Sequence, residues 1–183
     1  MNTMFDLQQY ALQKLKDTYT EHEIKVLCSL SFCKLLHYTN IDIHLKKHEF
    51  LAKSFIDKFV QIVEELKTDK PIQYILGETE FAGIDFQLNS ETLIPRPETE
   101  ELVMWIVESG VQPGASVLDI GTGSGCIIVS LGKLLKGVRL CGVDISPAAV
   151  RQAADNARRN GVEVKFEVRD ILRYEEWEWP GFD

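Results

Sequence analysis

The residues with the most chemical potential sit together in Asp119-Ile120-Gly121-Thr122-Gly123-Ser124-Gly125. Glycines at alternate positions permit a tight turn and let a ligand approach the backbone. Apolar Val117-Leu118 precedes the stretch and apolar Cys126–Leu135 follows it. The pattern predicts a buried strand, a glycine turn and a buried helix. The spacing is G-x-G-x-G; Cys126 stands where a dinucleotide fingerprint has its third glycine. A diphosphate needs a helix N-terminus laid open to it. The pattern therefore suits a ligand without phosphate, and S-adenosylmethionine is one, its methionine and ribose portions running close to the loop.

Three carboxylates stand at successive predicted strand ends. Asp119, just before the glycines, can order the loop and help receive a cationic amino-acid end. Asp144 follows Gly121 by 23 residues, the separation at which an acid meets ribose hydroxyls. Asp170 follows the third strand, where it could meet the adenine edge. One such acid alone is more often a helix cap or a solvated loop residue. Three on the ligand-binding edge of a parallel sheet argue for a site.

The elements that position these residues follow from hydrophobic pattern and turn chemistry. Pro113-Gly114 turns the chain into strand Val117–Ile120. Arg139–Val143 forms the second strand. Ser146 caps a helix with Pro147 at its first position, and Asn160-Gly161 ends it. Val164, Phe166 and Val168 mark the third strand. The order β-α-β-α-β predicts a parallel, doubly wound sheet. Upstream, Glu98–Val107 reads as a helix with Leu102, Val103, Ile106 and Val107 inward and an acidic first turn. Glu78–Phe81 and Ile84–Leu88 alternate around Ala82-Gly83, a β-hairpin signal.

Residues 1–70 read as a small helical bundle. Leu12, Leu15 and Tyr19 share one stripe. Thr20–Glu23 has the form of a capping box, followed by Ile24, Leu27, Ser31 and Leu35. Leu51, Phe55, Phe59, Ile62 and Leu66 form a third stripe that Lys70-Pro71 closes. Glu175–Trp179 reads as a surface loop. Domain boundaries are expected at 1–70 for the bundle, 71–96 for a hairpin linker and 97–183 for a partial α/β domain.

Hydrophobic residues make up 45% of the 183, enough for a core without metal or disulfide staples. The four cysteines, Cys28, Cys33, Cys126 and Cys141, have no zinc or C-x-x-C spacing; free, mostly buried thiols in a reducing cytoplasm are expected, with no bound metal. No signal sequence or bilayer-length apolar run is present, so a membrane role is not expected. The net charge of −8 arises wholly after residue 70, where ten basic residues face eighteen acidic ones. An acidic second half argues against a broad nucleic-acid surface.

Two further stretches resemble a known family. Pro71-Ile72-Gln73-Tyr74-Ile75-Leu76-Gly77, the hairpin with Glu80-Phe81, and Leu93-Ile94-Pro95-Arg96-Pro97-Glu98-Thr99-Glu100 resemble the release-factor glutamine methyltransferases, the HemK/PrmC family. The resemblance is strong over about residues 71–172 and general over the helices. It implies an α/β chain with a small N-terminal helical bundle that recognises substrate, a β-hairpin linker, and the first part of a Rossmann-like S-adenosylmethionine-dependent methyltransferase domain. It implies cofactor contacts from Gly121, Thr122, Gly123, Ser124, Gly125, Asp144, Asp170 and Ile171, beside Asp119 as read above from its place at a strand end. Arg96, Glu98 and Thr99 would lie near the substrate, or else merely stiffen an interdomain segment. The implied reaction methylates the side-chain amide of the glutamine in the Gly-Gly-Gln motif of peptide chain release factors.

One departure is large. The family's substrate motif, Asn-Pro-Pro-Tyr after the fourth strand, occurs nowhere in the sequence, which stops at Gly181-Phe182-Asp183 where that strand is expected to begin. A C-terminally truncated chain is expected. The motif matters because an amide nitrogen is a poor nucleophile. In the family, the Asn side chain and a backbone carbonyl hold its N–H groups, and catalysis is positioning and electrostatics. No residue here takes that catalytic role. Three other readings are an adenine N6 methyltransferase acting on nucleic acid, a non-catalytic fragment, and a nicotinamide-linked oxidoreductase.

Overall fold

The computed structural model describes residues 1–176 and 181–182. The chain divides into two compact units, Met1–Leu76 and Gly77–Asp183.

The first unit holds five helices: α1 (Met4–Leu15), α2 (Glu21–Leu36), α3 (Asn40–Leu45), α4 (Lys53–Leu66) and α5 (Ile72–Leu76). Threonine starts three of them. Thr3, Thr20 and Thr39 each accept the N3 backbone N–H, while Asp6, Glu23 and Asp42 accept the N-cap N–H in return. Such reciprocal capping satisfies donors that a helix start leaves orphaned. The core joins Leu7, Ala11, Leu15, Ile24, Cys28, Phe32, Phe55, Phe59, Val63 and Leu66. Phe32 and Phe59 stack with centroids 4.9 Å apart. Tyr19 lies beyond α1 and donates its hydroxyl to Leu66 O at 3.2 Å.

The second unit begins with the hairpin β1 (Glu78–Phe81) and β2 (Ile84–Gln87), turning through Ala82 and Gly83, both of positive φ. Then follow α6 (Pro97–Glu108), β3 (Ser116–Ile120), α7 (Cys126–Leu134), β4 (Arg139–Asp144), α8 (Pro147–Arg159), β5 (Lys165–Val168) and a short 3-10 segment, Ile171–Glu176. The strands form a parallel sheet in the order β3-β4-β5, with α7 and α8 as crossovers. The core joins Val103, Ile128, Val129, Leu131, Leu140 and Ala157 to Phe81 and Phe86 of the hairpin.

Five expectations change. The hairpin, expected as part of a separate linker over 71–96, belongs to the second unit, where Phe81 and Phe86 pack edge to face in the core. Residues 71–76 belong to the first unit: Pro71 precedes α5, and Ile72 is buried in the helical core. On α6, Val103 is fully buried and Ile106 and Val107 pack beside it, but Leu102 is 41% exposed. One face of a helix holds positions 103, 106 and 107, and 102 lies off it. Among the cysteines only Cys28 is fully buried, and burial pushes its thiol up to about 12. The expected loop Glu175–Trp179 begins inside the 3-10 segment, and Trp177–Trp179 lie outside the described residues.

Candidate functional site

Strands β3 and β4 end side by side, with Ile120 opposite Val143. The glycine loop starts there. Gly121 N and Thr122 N both donate to Val143 O, at 2.8 and 2.9 Å, which pins the turn to the end of β4. Gly125 N closes it by donating to Thr122 O at 2.8 Å. Gly121, Gly123 and Gly125 all have positive φ. At Gly125 handedness and space coincide. Its φ is +80°, and an added Cβ would stand 3.0 Å from Ala153 Cβ. Only glycine lets α7 begin that close to α8.

Two of the three predicted acids hold this loop. Asp119 Oδ2 accepts the Thr122 hydroxyl at 2.8 Å. Burial raises the Asp119 carboxyl above its ordinary range; hydrogen bonds from Thr122 and the Ile128 backbone oppose this, and the charge of Asp144 adds to it. Asp144 accepts Gly123 N at 3.0 Å through Oδ2 and Ser146 N at 2.9 Å through Oδ1, so it ties the loop to the start of α8. Asp170 stands apart. It accepts Leu172 N at 3.0 Å and starts the 3-10 segment, in which Ile171 is half-buried. The bonds that shape the loop do not include Asp170. Nor do they include Arg96, Glu98 or Thr99, which form the first turn of α6. There Thr99 N donates to Arg96 O at 2.9 Å, and α6 packs on α7, the helix the loop leads into.

Several residues with a part in this geometry escape sequence reasoning. Gly142 lies under the loop; an added Cβ would meet Phe166 Cε1 at 2.6 Å and Thr122 Oγ1 at 3.0 Å. A glycine within an apolar strand is the signal that would have found it. Ile145 and Leu172, each next to a predicted acid or its neighbour, are 66% and 87% exposed. Among the described residues no His, Cys, Asp and Glu cluster could hold a metal, and no helix is long and apolar enough to cross a membrane.

Known proteins match both units. Residues 6–77 match the PrmC N-terminal domain and residues 112–183 a methyltransferase domain. The release factor glutamine methyltransferase of Flavobacterium psychrophilum is 38% identical over 169 residues, covering 90% of this chain and 59% of that protein. That of Bacteroides thetaiotaomicron is 39% identical over 164 residues, covering 89% and 58%. This chain belongs to the release factor glutamine methyltransferase family. It spans just under three fifths of the length of these family members. Among solved structures, a Pyrococcus abyssi tRNA (uracil-54, C5)-methyltransferase in complex with S-adenosyl-L-homocysteine aligns with a TM-score of 0.48 at 24% identity, over 58% of this chain and 26% of that one.

Proposed function

We propose that the second unit holds S-adenosylmethionine at the loop Gly121–Gly125, as the cofactor half of an enzyme that methylates the side-chain amide of the Gly-Gly-Gln glutamine in peptide chain release factors. The observation that carries the reading is the loop itself, closed by Asp119 and Asp144 at the ends of two adjacent parallel strands. The site fits such a cofactor. No atom lies within 4 Å of a Cβ added at Gly121, and only the Gly121 carbonyl, at 3.9 Å, faces one added at Gly123. The backbone is therefore open to close approach. Asp119 is a carboxylate short of solvation and made costlier by a second acid. A ligand ammonium group would relieve both effects.

The roles divide by place in the fold. Asp119 receives the cationic amino-acid end and, through Thr122, keeps the loop closed. Gly121–Gly125 supply backbone rather than side chains, so the ligand can lie against the turn. Asp144 keeps free lone pairs beside its two backbone bonds and takes the ribose hydroxyls. Ile145, Asp170 and Ile171 flank the adenine. Arg96, Glu98 and Thr99 face the glutamine side of the site. When bound, the cofactor supplies an electrophilic methyl group on a sulfonium. No residue of this chain is assigned to hold the glutamine amide, and activity is assigned to the whole protein.

Two measurements test this. Calorimetric titration of the 183-residue chain with S-adenosylhomocysteine gives saturable one-to-one binding, and NAD gives none. The whole protein, supplied with S-adenosylmethionine and a release factor, adds one methyl group to the motif glutamine, read by mass spectrometry of the tryptic peptide. Binding of NAD, or methylation of DNA adenine in preference to the release factor, would sink the reading.

A further inference from the structure

One amide side chain is sealed inside the second unit. Asn156 is 0% exposed, on the face of α8 that also buries Ala149, Ala153 and Ala157. A buried amide is costly unless its polar atoms are paired. Asn156 pairs them with the backbone of two distant segments. Its Nδ2 donates to Ser124 O at 2.9 Å, inside the glycine loop, and to Gln87 O at 3.0 Å in β2. Its Oδ1 accepts Gln87 N at 2.8 Å.

The neighbouring amides on the same face reach the hairpin and the residues after it but not the glycine loop. Gln152 donates to Gln87 O at 3.0 Å and accepts Asn89 Nδ2 at 2.6 Å; Asn160 donates to Asp85 O at 3.1 Å. Residues 152, 156 and 160 recur at the four-residue spacing of one helix face. They grip the free edge of β2 as a neighbouring strand would. Of the three, only Asn156 also holds the loop. A side chain bonded to both segments cannot shift with one and leave the other undisturbed.

We infer that Asn156 is the positioning residue of the cofactor loop: it fixes the Ser124 carbonyl against β2 and so couples occupancy of the loop to the hairpin. The inference rests on the cofactor reading above, and its test separates the two. In the 183-residue chain, Asn156→Ala is expected to weaken S-adenosylhomocysteine binding about tenfold or more, because the buried Ser124 carbonyl loses its donor while Gln87 O keeps the one from Gln152. Gln152→Ala, which cuts bonds to Gln87 and Asn89 but none to the loop, is expected to stay within about twofold of the wild type. Asn156→Asp turns an oxygen toward the Ser124 carbonyl; its affinity recovers as the pH falls and the carboxyl regains a donor. A purely structural role would instead lower the melting temperature of both variants and leave the affinity of the folded fraction unchanged. That result overturns the inference, as does equal binding by all three proteins. If Asn156→Ala does not fold, hydrogen exchange on the wild type decides. S-adenosylhomocysteine should slow exchange at Gln87 N as well as at Gly125 N; protection confined to the loop overturns the coupling. A wild-type chain that binds no S-adenosylhomocysteine overturns the cofactor reading and this inference with it. A wild-type chain that binds, beside an Asn156→Ala variant that binds equally well, overturns this inference alone.

Discussion

Asp42 in the helical unit and Asp119 in the sheet unit are the same residue type in opposite circumstances. Asp42 receives hydrogen bonds from Thr39 and Lys46, and its carboxyl is held down at about 2. Asp119 is pushed up by burial. The first carboxylate completes a helix start, and everything it needs lies within four residues. The second is kept at a cost that its hydrogen bonds within the chain do not fully offset. The helical unit thus commits its charges to its own backbone, while the sheet unit keeps one in reserve at the end of a strand. Polar groups that stabilise and polar groups that bind separate along that line, because a group already satisfied has little left to offer a ligand.

The largest effect that sharpens this contrast comes from the helical core. Phe59 is 1% exposed and stacks on Phe32. Phe59→Ala should cost about 3–5 kcal/mol, from lost transfer energy plus the cavity left behind. In urea titration followed by far-ultraviolet dichroism, the helical transition should move to lower denaturant while S-adenosylhomocysteine affinity in native buffer holds. Loss of affinity in a variant that remains folded would break the contrast, since the helices would then shape the site.

Next comes Gly125→Ala. The left-handed backbone and the Ala153 contact act together, and the expected loss is about 2–3 kcal/mol. Adding Ala153→Gly should return part of the contact portion, since the Cα at 153 still stands 3.2 Å away, and leave the φ portion, so the double variant falls between the two. Full recovery would mean that space alone, and not backbone handedness, requires glycine there.

Thr20→Ala is smaller, about 1 kcal/mol, the ordinary value of an N-cap. It removes the hydroxyl that accepts Glu23 N at 3.3 Å. The loss should appear only in the helical transition of the same titration.

The two units also differ in how much of them is legible in the sequence. The helical stripes and the Thr20 capping box are local patterns, and local patterns are visible in one sequence. The boxes at Thr3 and Thr39 escape notice because Asp6 and Asp42 replace the usual Glu or Gln. Helix α3 escapes because its six residues bury none. Pro71 reads as a stop but here precedes the first turn of α5, a place proline tolerates. In the sheet unit, the glycine loop, Asp119 and Asp144 are legible because their meaning depends on position relative to a strand. Asn156 and Gly142 are not. Asn156 acts on segments 32 and 69 residues away, and Gly142 is required by a threonine and a phenylalanine on other elements. A single sequence carries no mark of such pairings beyond an isolated amide among alanines and a glycine among apolar residues.

The smallest effect on stability tests the opening contrast directly. Asp119→Asn keeps an oxygen to accept the Thr122 hydroxyl and removes the desolvated charge. The raised carboxyl of Asp119 favours the folded state while protonated, fully so below its unfolded pKa of about 3.9. That contribution is lost as pH rises through the folded value. Relative to Asp119→Asn, the wild-type chain should therefore lose stability across the acidic range and then run parallel to it at neutral pH. For Asp42→Asn the sign reverses, because the folded carboxyl titrates at about 2. The wild type gains over that variant as pH rises, and the gain is lost as pH falls through that value. Urea titrations of the three proteins at several pH values would show the two slopes. Saturating S-adenosylhomocysteine should then invert the order at neutral pH for Asp119 alone. A ligand that binds only the folded wild type adds RT ln(1 + [L]/Kd) to its stability. The Asp119→Asn variant, having nothing to neutralise the ammonium group, gains less. If the ligand stabilises both proteins equally, the charge at position 119 serves the loop and not the cofactor.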